Sequence, residues 1–469
     1  MGRVPARRPP GRGRPARPAV SRGPSPARAA AARVLERVVA DQAFADLALE
    51  AELTRRRLSP RDAALATELV YGTLRWQRYL DWLLQPHARR PLEALDVRPL
   101  VVLRMTAYQL RFLERVPAFA AVDDGVALVR RSAGPGPAAF VNAVLRAFAR
   151  ACEAGREPPP PEDPVEALAV RCSFPTWLAA RWVARWGAAE AEALMRAMNA
   201  RPPLTLRVNT LRTTREALAE RLRREEGLAT RPTRYAPEGL VAEHGGRPAA
   251  WRAFADGAFV VQDEASMLVG RLLAPAPGET VADVCAAPGT KTTHLAQLMA
   301  DRGRVLAFDP QPARLGLVRE AAQRLGLRSI EALEGPVEAL APRFAGACDA
   351  VLVDAPCSNL GVLRRTPEVK WRRRPEDLAA SAARQRAILA AAADMVRPGG
   401  RLVYATCSLE PEENEAVVAA VLAARPDFAP DPPVAFPLPL EPEGVLRCVP
   451  HRHDTDGFTA HRLRRRART

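Results

Sequence analysis

The sequence predicts a multidomain chain: an all-α bundle, a small α/β region, and a larger α/β domain built on a mostly parallel sheet. Three observations predict it. Over residues 27–152 the apolar spacing is helical throughout. The prolines at 158–161 then form a stiff linker with its own turn chemistry. From about residue 256, apolar runs near 281, 305, 330, 351 and 402 alternate with helical patterns, as parallel strands joined by crossover helices require.

In chain order, residues 1–25 carry Arg3, Arg7, Arg8, Arg12, Arg14, Arg17 and Arg22 with no acid, amid Pro and Gly, which predicts disorder. Such an arm either adds salt-sensitive phosphate contacts or is simply solvated. The arginine-rich run at 462–468 has the same two readings. In the bundle, 26–152, apolar stripes pass through Ala31, Val34, Leu35, Val38 and Val39, and through Leu65, Leu69, Val70 and Leu74. A Pro-rich linker, 153–164, follows. The region 165–255 mixes helices over 177–186 and 188–198 with a strand over 204–208. Spacing along one helix assigns Trp177, Trp182 and Trp186 to core packing rather than to stacking on bases. The last domain, 256–469, ends in a hairpin through 445–449 and 457–463.

The formal charge of +16 and the pI near 10.6 are balances commonly met by an anionic partner, most often nucleic acid. The seven cysteines form no C-x-x-C pair and no metal-ligand spacing with the six histidines. Neither a zinc site nor a disulfide framework is predicted, which fits a reducing cytosol. No apolar run approaches the roughly 18 residues of a spanning helix, and the basic start lacks the apolar stretch of a signal peptide. The expectation is a soluble, cytoplasmic protein.

The segment Thr280-Val281-Ala282-Asp283-Val284-Cys285-Ala286-Ala287-Pro288-Gly289-Thr290-Lys291 reads as a strand, a tight loop of small residues and a helix start. Small side chains let the backbone approach a ligand, and the helix amides offer a positive dipole end to a carboxylate or phosphate. Both the Walker spacing and a dinucleotide G-x-G-x-x-G are missing, so ATP and NAD are unlikely ligands by motif. The next strand ends in Asp309, placed to take both hydroxyls of a ribose, which suits the adenosine of S-adenosylmethionine.

Two further strand-like runs end in Asp354-Ala355-Pro356-Cys357-Ser358 and in Thr406-Cys407-Ser408. In open α/β sheets ligands bind outside the carboxyl ends of the strands, so both thiols and Asp354 can face one substrate. That pair points to cysteine chemistry on a pyrimidine. Carbon 5 of cytosine is a poor nucleophile until a thiolate adds at carbon 6. A free cysteine is only a few per cent thiolate at neutral pH, so the site either activates it, with Lys291 a candidate, or relies on its intrinsic nucleophilicity. Asp354 can hydrogen-bond the exocyclic amine and ring nitrogen 3. The second cysteine supplies the base that removes the carbon 5 proton, or assists release.

These motifs resemble the RNA cytosine-5 methyltransferases. Nearly everything after residue 25 is similar to their bacterial 16S ribosomal RNA branch of the RsmB type, also called Fmu or Sun. Further matching stretches are Arg207-Val208-Asn209-Thr210, Gln262-Asp263-Glu264-Ala265-Ser266, Pro411-Glu412-Glu413-Asn414 and Asp454-Thr455-Asp456-Gly457-Phe458. The resemblance implies a NusB-like RNA-binding bundle, carried by Arg61 onward through Arg75 and by Phe140-Val141-Asn142-Ala143-Val144-Leu145-Arg146. It also implies a Rossmann-like class I methyltransferase domain whose last strand is inserted antiparallel. By the same resemblance Cys407 is the nucleophile, Cys357 its helper and Asp354 the ring acid. The cofactor set is Cys285, Ala286, Ala287, Pro288, Gly289, Thr290, Lys291, Asp309, Arg314, Glu334 and Asp354. Thr290 stands where the family has a second loop glycine, and Leu333-Glu334-Gly335-Pro336 stands where it has Gly-Asp, with Glu334 the substitute.

The reading is an S-adenosylmethionine-dependent RNA cytosine-5 methyltransferase acting on 16S ribosomal RNA or a small-subunit assembly intermediate, without metal or membrane, and a monomer by expectation. Its rivals are a noncatalytic RNA-binding assembly factor and the same chemistry on transfer RNA or another ribosomal site.

Overall fold

The computed structural model describes residues 23–243 and 246–467. The basic arm up to residue 22, and Arg468, lie outside the described residues. The described chain forms two compact units, residues 23–73 with 83–158 and residues 74–82 with 159–467.

The first unit is helical. Its first helix, Pro26–Ala40, starts where it does because the Ser25 side chain accepts the Arg28 amide and proline occupies the first turn. The expected stripe of Ala31, Val34, Leu35 and Val38 is buried, as are Leu69 and Val70. Helices Val97–Phe112, Ala118–Ala133 and Pro135–Glu153 complete the core. A buried arginine, Arg28, is matched by Gln109 Oε1 at 2.6 Å and Asp124 Oδ2 at 2.8 Å, so its charge is not stranded.

In the second unit three helices, Pro164–Arg171, Thr176–Trp186 and Ala188–Asn199, pack around Trp182, which is 1% exposed. Trp177 and Trp186 pack against the same apolar cluster, so all three tryptophans serve the core. Residues 74–82 also belong here. Trp371 Nε1 donates to Leu74 O, Lys370 Nζ donates to Arg75 O and Asn199 Oδ1, and Arg78 donates to Phe174 O. Lys370 is buried, and burial pushes its ammonium well below its ordinary value.

Twelve strands follow in the described residues. Strand β1 (Leu204–Val208) is flanked antiparallel by β3 (Gly239–Ala242) and β4 (Phe259–Val261), with β2 (Thr230–Pro232) outside β3. The large sheet holds β5 (Thr280–Asp283), β6 (Arg304–Asp309), β7 (Ile330–Glu334), β8 (Cys348–Asp354) and β9 (Val396–Thr406), with β10 (Phe428–Pro430), β11 (Leu446–Cys448) and β12 (Phe458–Arg465). Its order is β10-β12-β9-β8-β5-β6-β7, with β11 also on β12. Strands β5 to β9 are those expected near 281, 305, 330, 351 and 402, and they run parallel. The hairpin of β11 and β12 also forms as expected, and β12 enters antiparallel beside β9. Val351, Leu352, Val353, Leu402, Val403 and Tyr404 are fully buried, which is why β8 and β9 read as unbroken apolar runs. Each such side chain contributes about 1.5–3 kcal/mol by leaving water.

No helix among the described residues is long and apolar enough to cross a membrane. Among the same residues no cluster of three or more His, Cys, Asp or Glu has the arrangement of a metal site.

Candidate active site

The chain reverses order at β5, where one neighbour is β6 and the other β8, and a crevice opens there at the carboxyl ends of the strands. The cavity holds about 570 Å³ and is lined by Cys285, Ala287, Thr290, Lys291, Asp309, Arg314, Asp354, Cys357 and Cys407 among others. Nine of the residues expected at the site therefore share one pocket. Of the rest, Ala286, Pro288 and Gly289 shape the loop behind the wall, and Glu334 is not at the wall.

The loop after β5 turns at Gly289, whose φ of +104° suits glycine and whose missing Cβ would lie 3.1 Å from Val318 Cα. Helix Thr290–Leu298 starts immediately after it. Arg207 on β1 fixes that start: it donates to Thr290 O at 2.6 Å and Thr293 Oγ1 at 2.9 Å, and it also contacts Gln262. Arg207 is fully buried, and burial lowers its guanidinium to about 9. Gln297 adds bonds to Val208 O and Thr210 Oγ1. The stretch Arg207 to Thr210 thus braces the loop's helix, a role that only the folded contacts reveal.

Asp309 ends β6 and is 2% exposed. Its Oδ1 accepts the Gln311 amide at 2.9 Å, and its Oδ2 lies 3.3 Å from Arg314. Arg314 also donates to Ala287 O, tying the acid to the loop. Glu334 pairs in register with Asp309 at the end of β7 but is exposed; Pro336, Val337 and Glu338 line the cavity instead. Asp283, at the end of β5, is buried with Oδ2 accepting the Thr292 hydroxyl, and burial raises it to about 6. These residues fit S-adenosylmethionine. A buried strand-end carboxylate suits a ribose diol, the helix start suits a carboxylate, and Val284, Val337 and Ile388 offer apolar walls for a base.

The two thiols meet because β8 and β9 are parallel with Asp354 opposite Ala405. Cys357 and Cys407 then lie three and two residues beyond one register, and their sulfurs are 3.2 Å apart. Asn359, in a left-handed turn with φ +63°, receives both thiols on Oδ1, at 3.1 Å from Cys407 and 3.6 Å from Cys357. The hydrogen bond with Cys407, together with burial, pushes the Cys357 thiol well above its ordinary range. Lys291 Nζ lies 2.7 Å from Asp354 Oδ2 and 4.9 Å from the Phe458 ring centroid. Burial works against the Lys291 charge, but Asp354 outweighs it and holds the ammonium above its ordinary value.

Behind the sulfurs, buried Glu413 takes the Ser358 amide at 2.8 Å, the Ser358 hydroxyl at 2.5 Å and Gln385 Nε2 at 3.2 Å. Tyr404 OH donates to Glu413 O, and Thr406 Oγ1 donates to Asn414 Oδ1. The segment after β9 therefore clamps the loop after β8. Asn359, Glu413 and Glu338 were not singled out from the sequence. Glu413 and its neighbours stood only as a matching stretch, and nothing local gives a loop asparagine a partner.

A parallel sheet with one antiparallel strand beside its last parallel one, a glycine loop and a strand-end acid define the class of S-adenosylmethionine-dependent methyltransferases. The family described as 16S rRNA methyltransferase RsmB/F matches residues 270–464. The NusB family matches residues 25–150, and the ferredoxin-like domain of RsmF/B-like methyltransferases matches 174–247. A Synechocystis protein named probable ribosomal RNA small subunit methyltransferase B is 39% identical over 92% of this chain and 98% of its own. The crystal structure of PH0851 superposes with a TM-score of 0.80 at 28% identity, covering 94% of this chain and 98% of that one. NSun6 from Pyrococcus horikoshii, solved with the S-adenosylmethionine analogue SFG, gives a TM-score of 0.56 at 27% identity over 62% of this chain and 98% of that one. The chain belongs to the ribosomal RNA small subunit methyltransferase B family, with S-adenosylmethionine as cofactor.

Proposed function

We propose that the chain methylates carbon 5 of one cytosine in 16S ribosomal RNA through a covalent bond between Cys407 Sγ and carbon 6. The observation that carries this is the pair of thiols 3.2 Å apart in the same cavity as Asp309 and Asp354. When bound, S-adenosylmethionine supplies an electrophilic methyl group. Loop 285–291, Asp309 and Arg314 hold it, with Glu338 in the place expected of Glu334. Lys291 lines the same cavity as Cys407 and holds Asp354 at 2.7 Å. Asp354 accepts from the cytosine amine and stabilises the ring as sulfur adds at carbon 6. Cys357, which keeps its proton in the resting site, gives it to the Cys407 sulfur as the carbon–sulfur bond breaks, and the Cys357 thiolate so formed takes up the carbon 5 proton, which restores the double bond of the ring. The target base is flipped or already unpaired, since a stacked base does not reach a strand-end cavity.

Residues 26–152 dock the RNA, 153–164 link, 165–255 brace the cofactor loop and 256–469 carry the chemistry, in the cytoplasm where ribosomal RNA is made. The test is a denaturing gel of Cys357→Ser protein incubated with 16S ribosomal RNA and S-adenosylmethionine. A slow-migrating protein–RNA adduct is expected, and it disappears in Cys357→Ser/Cys407→Ser. An adduct that persists in the double variant refutes the role of Cys407.

A further inference from the structure

We propose that Cys357 and Cys407 form a reversible disulfide when the protein meets a hydroperoxide, making the site a redox-controlled one. The loss of activity rests on the function proposed above, whereas the bond itself does not. The two sulfurs lie 3.2 Å apart, in contact, in a cavity open enough for both cysteines to keep partial exposure. A disulfide needs about 2.05 Å, so the sulfurs close by roughly 1.2 Å from their 3.2 Å contact. A peroxide enters by the route a cytosine would use. The buried cysteines Cys172, Cys348 and Cys448 are separated, each lying in a different apolar cluster.

The chemistry balances with a hydroperoxide as oxidant. The Cys407 sulfur, the nucleophile of the proposed reaction, attacks the outer peroxide oxygen. An S–O bond forms, the O–O bond breaks, and the leaving alkoxide takes up the thiol proton as an alcohol, or as water from hydrogen peroxide. The Cys357 sulfur then attacks the sulfenic sulfur: the S–S bond forms, the S–O bond breaks, and water leaves with the Cys357 proton. Two thiols lose two electrons and the peroxide gains them. Cys357 thereby acts as a resolving thiol that stops Cys407 short of sulfinic acid, and a dithiol restores both. Intracellular disulfides of this kind are transient and redox-sensing.

The experiment treats the full-length protein with hydrogen peroxide, removes the excess with catalase, blocks free thiols with N-ethylmaleimide and maps peptides by mass without reduction. Methyl transfer to 16S ribosomal RNA is followed before oxidation, after it, and after dithiothreitol. The expected result is a Cys357–Cys407 linked peptide lighter by two hydrogens than its two thiol peptides, with activity falling as the linked fraction rises and returning with dithiothreitol. In Cys357→Ser the same treatment drives Cys407 to a sulfinic mass that dithiothreitol does not reverse. Recovery of both cysteines as maleimide adducts, or of Cys407 as sulfinic acid in the unaltered protein, overturns the inference. A linked peptide in a protein that never methylates the RNA leaves the disulfide standing and counts against the methylation reading instead.

Discussion

A single asparagine oxygen receives both thiols, which makes Asn359 the residue that sets how the sulfurs face the cavity. One hydrogen bond is worth about 1 kcal/mol net. Asn359→Ala is therefore expected to lower kcat about fivefold while leaving S-adenosylmethionine affinity unchanged, as steady-state kinetics and calorimetry together can show. Asp309→Ala has the opposite signature. Its carboxylate is positioned by the Gln311 amide and Arg314 at the cavity wall, and its removal weakens cofactor binding by about 1.5–3 kcal/mol, the range for hydrogen bonds to a charged group; unchanged calorimetric affinity would contradict this. Cys357, Cys407, Asp354 and Asp309 were visible in the sequence because each closes an apolar run, and strand ends of a parallel sheet converge. Asn359 and Glu338 sit in segments without that periodicity. Glu334 shows the limit of register arguments: it closes β7 beside Asp309, yet the cavity wall is taken up by the turn that follows.

At the scale of elements, the positions of Cys357 and Cys407 depend on how two loops lock. Gly361 donates to Cys407 O, Gly457 donates to Gly361 O, and a Cβ on Gly361 would lie 2.2 Å from Gly457 O and 2.7 Å from Cys407 O. Gly361→Ala must move backbone. Overpacking of this kind costs about 1–3 kcal/mol, so a lower melting temperature and a larger loss of methyl transfer than of cofactor binding are expected. Glu413→Ala strands the donors of Ser358 and Gln385 in a buried site. At about 1–3 kcal/mol for an unsatisfied group, the variant should melt earlier, and a wild-type melting temperature would show that the clamp is dispensable. The parallel strands were legible because burial on both faces makes them continuous apolar runs. Strands β2, β3 and β4 were not, since a segment such as Thr230–Pro232 becomes a strand only through its pairing with β3. Residues 74–82 likewise continue a helical pattern, and only Lys370, Trp371 and Arg78 reveal the unit to which they belong.

Across the whole molecule, charge governs two behaviours. The excess of 69 Lys and Arg over 53 Asp and Glu predicts RNA affinity that falls linearly in log–log form with salt, and a salt-independent affinity would rule out a phosphate-based grip. The second behaviour is acid sensitivity. Burial lowers His294 and His461 to about 4, so below the unfolded value near 6.5 the unfolded chain binds protons that the native one refuses. Glu238, buried but paired with His294 and Arg271, is lowered to about 2, so its contribution is present above its unfolded value near 4.5 and is lost toward pH 2. These three shifts make stability rise with pH; Asp283, raised to about 6, works the other way between about pH 4 and 6, and the two histidines together outweigh it. Melting temperature is therefore expected to fall continuously from about pH 6.5 to pH 4, and a flat profile over that window would contradict the burial of the two histidines.

Cys407, bonded to carbon 6, is proposed to activate carbon 5 of a cytosine for methyl transfer from S-adenosylmethionine. The measurement that reaches it most directly is nucleoside mass spectrometry of 16S ribosomal RNA after incubation with S-adenosylmethionine and either the unaltered protein or Cys407→Ala, with bisulfite sequencing to place the product. 5-Methylcytidine is expected at one position with the unaltered protein and none with Cys407→Ala, although the variant binds S-adenosylmethionine equally well. Formation of 5-methylcytidine by Cys407→Ala, or a methyl group found on any atom other than carbon 5 of cytosine, would contradict it.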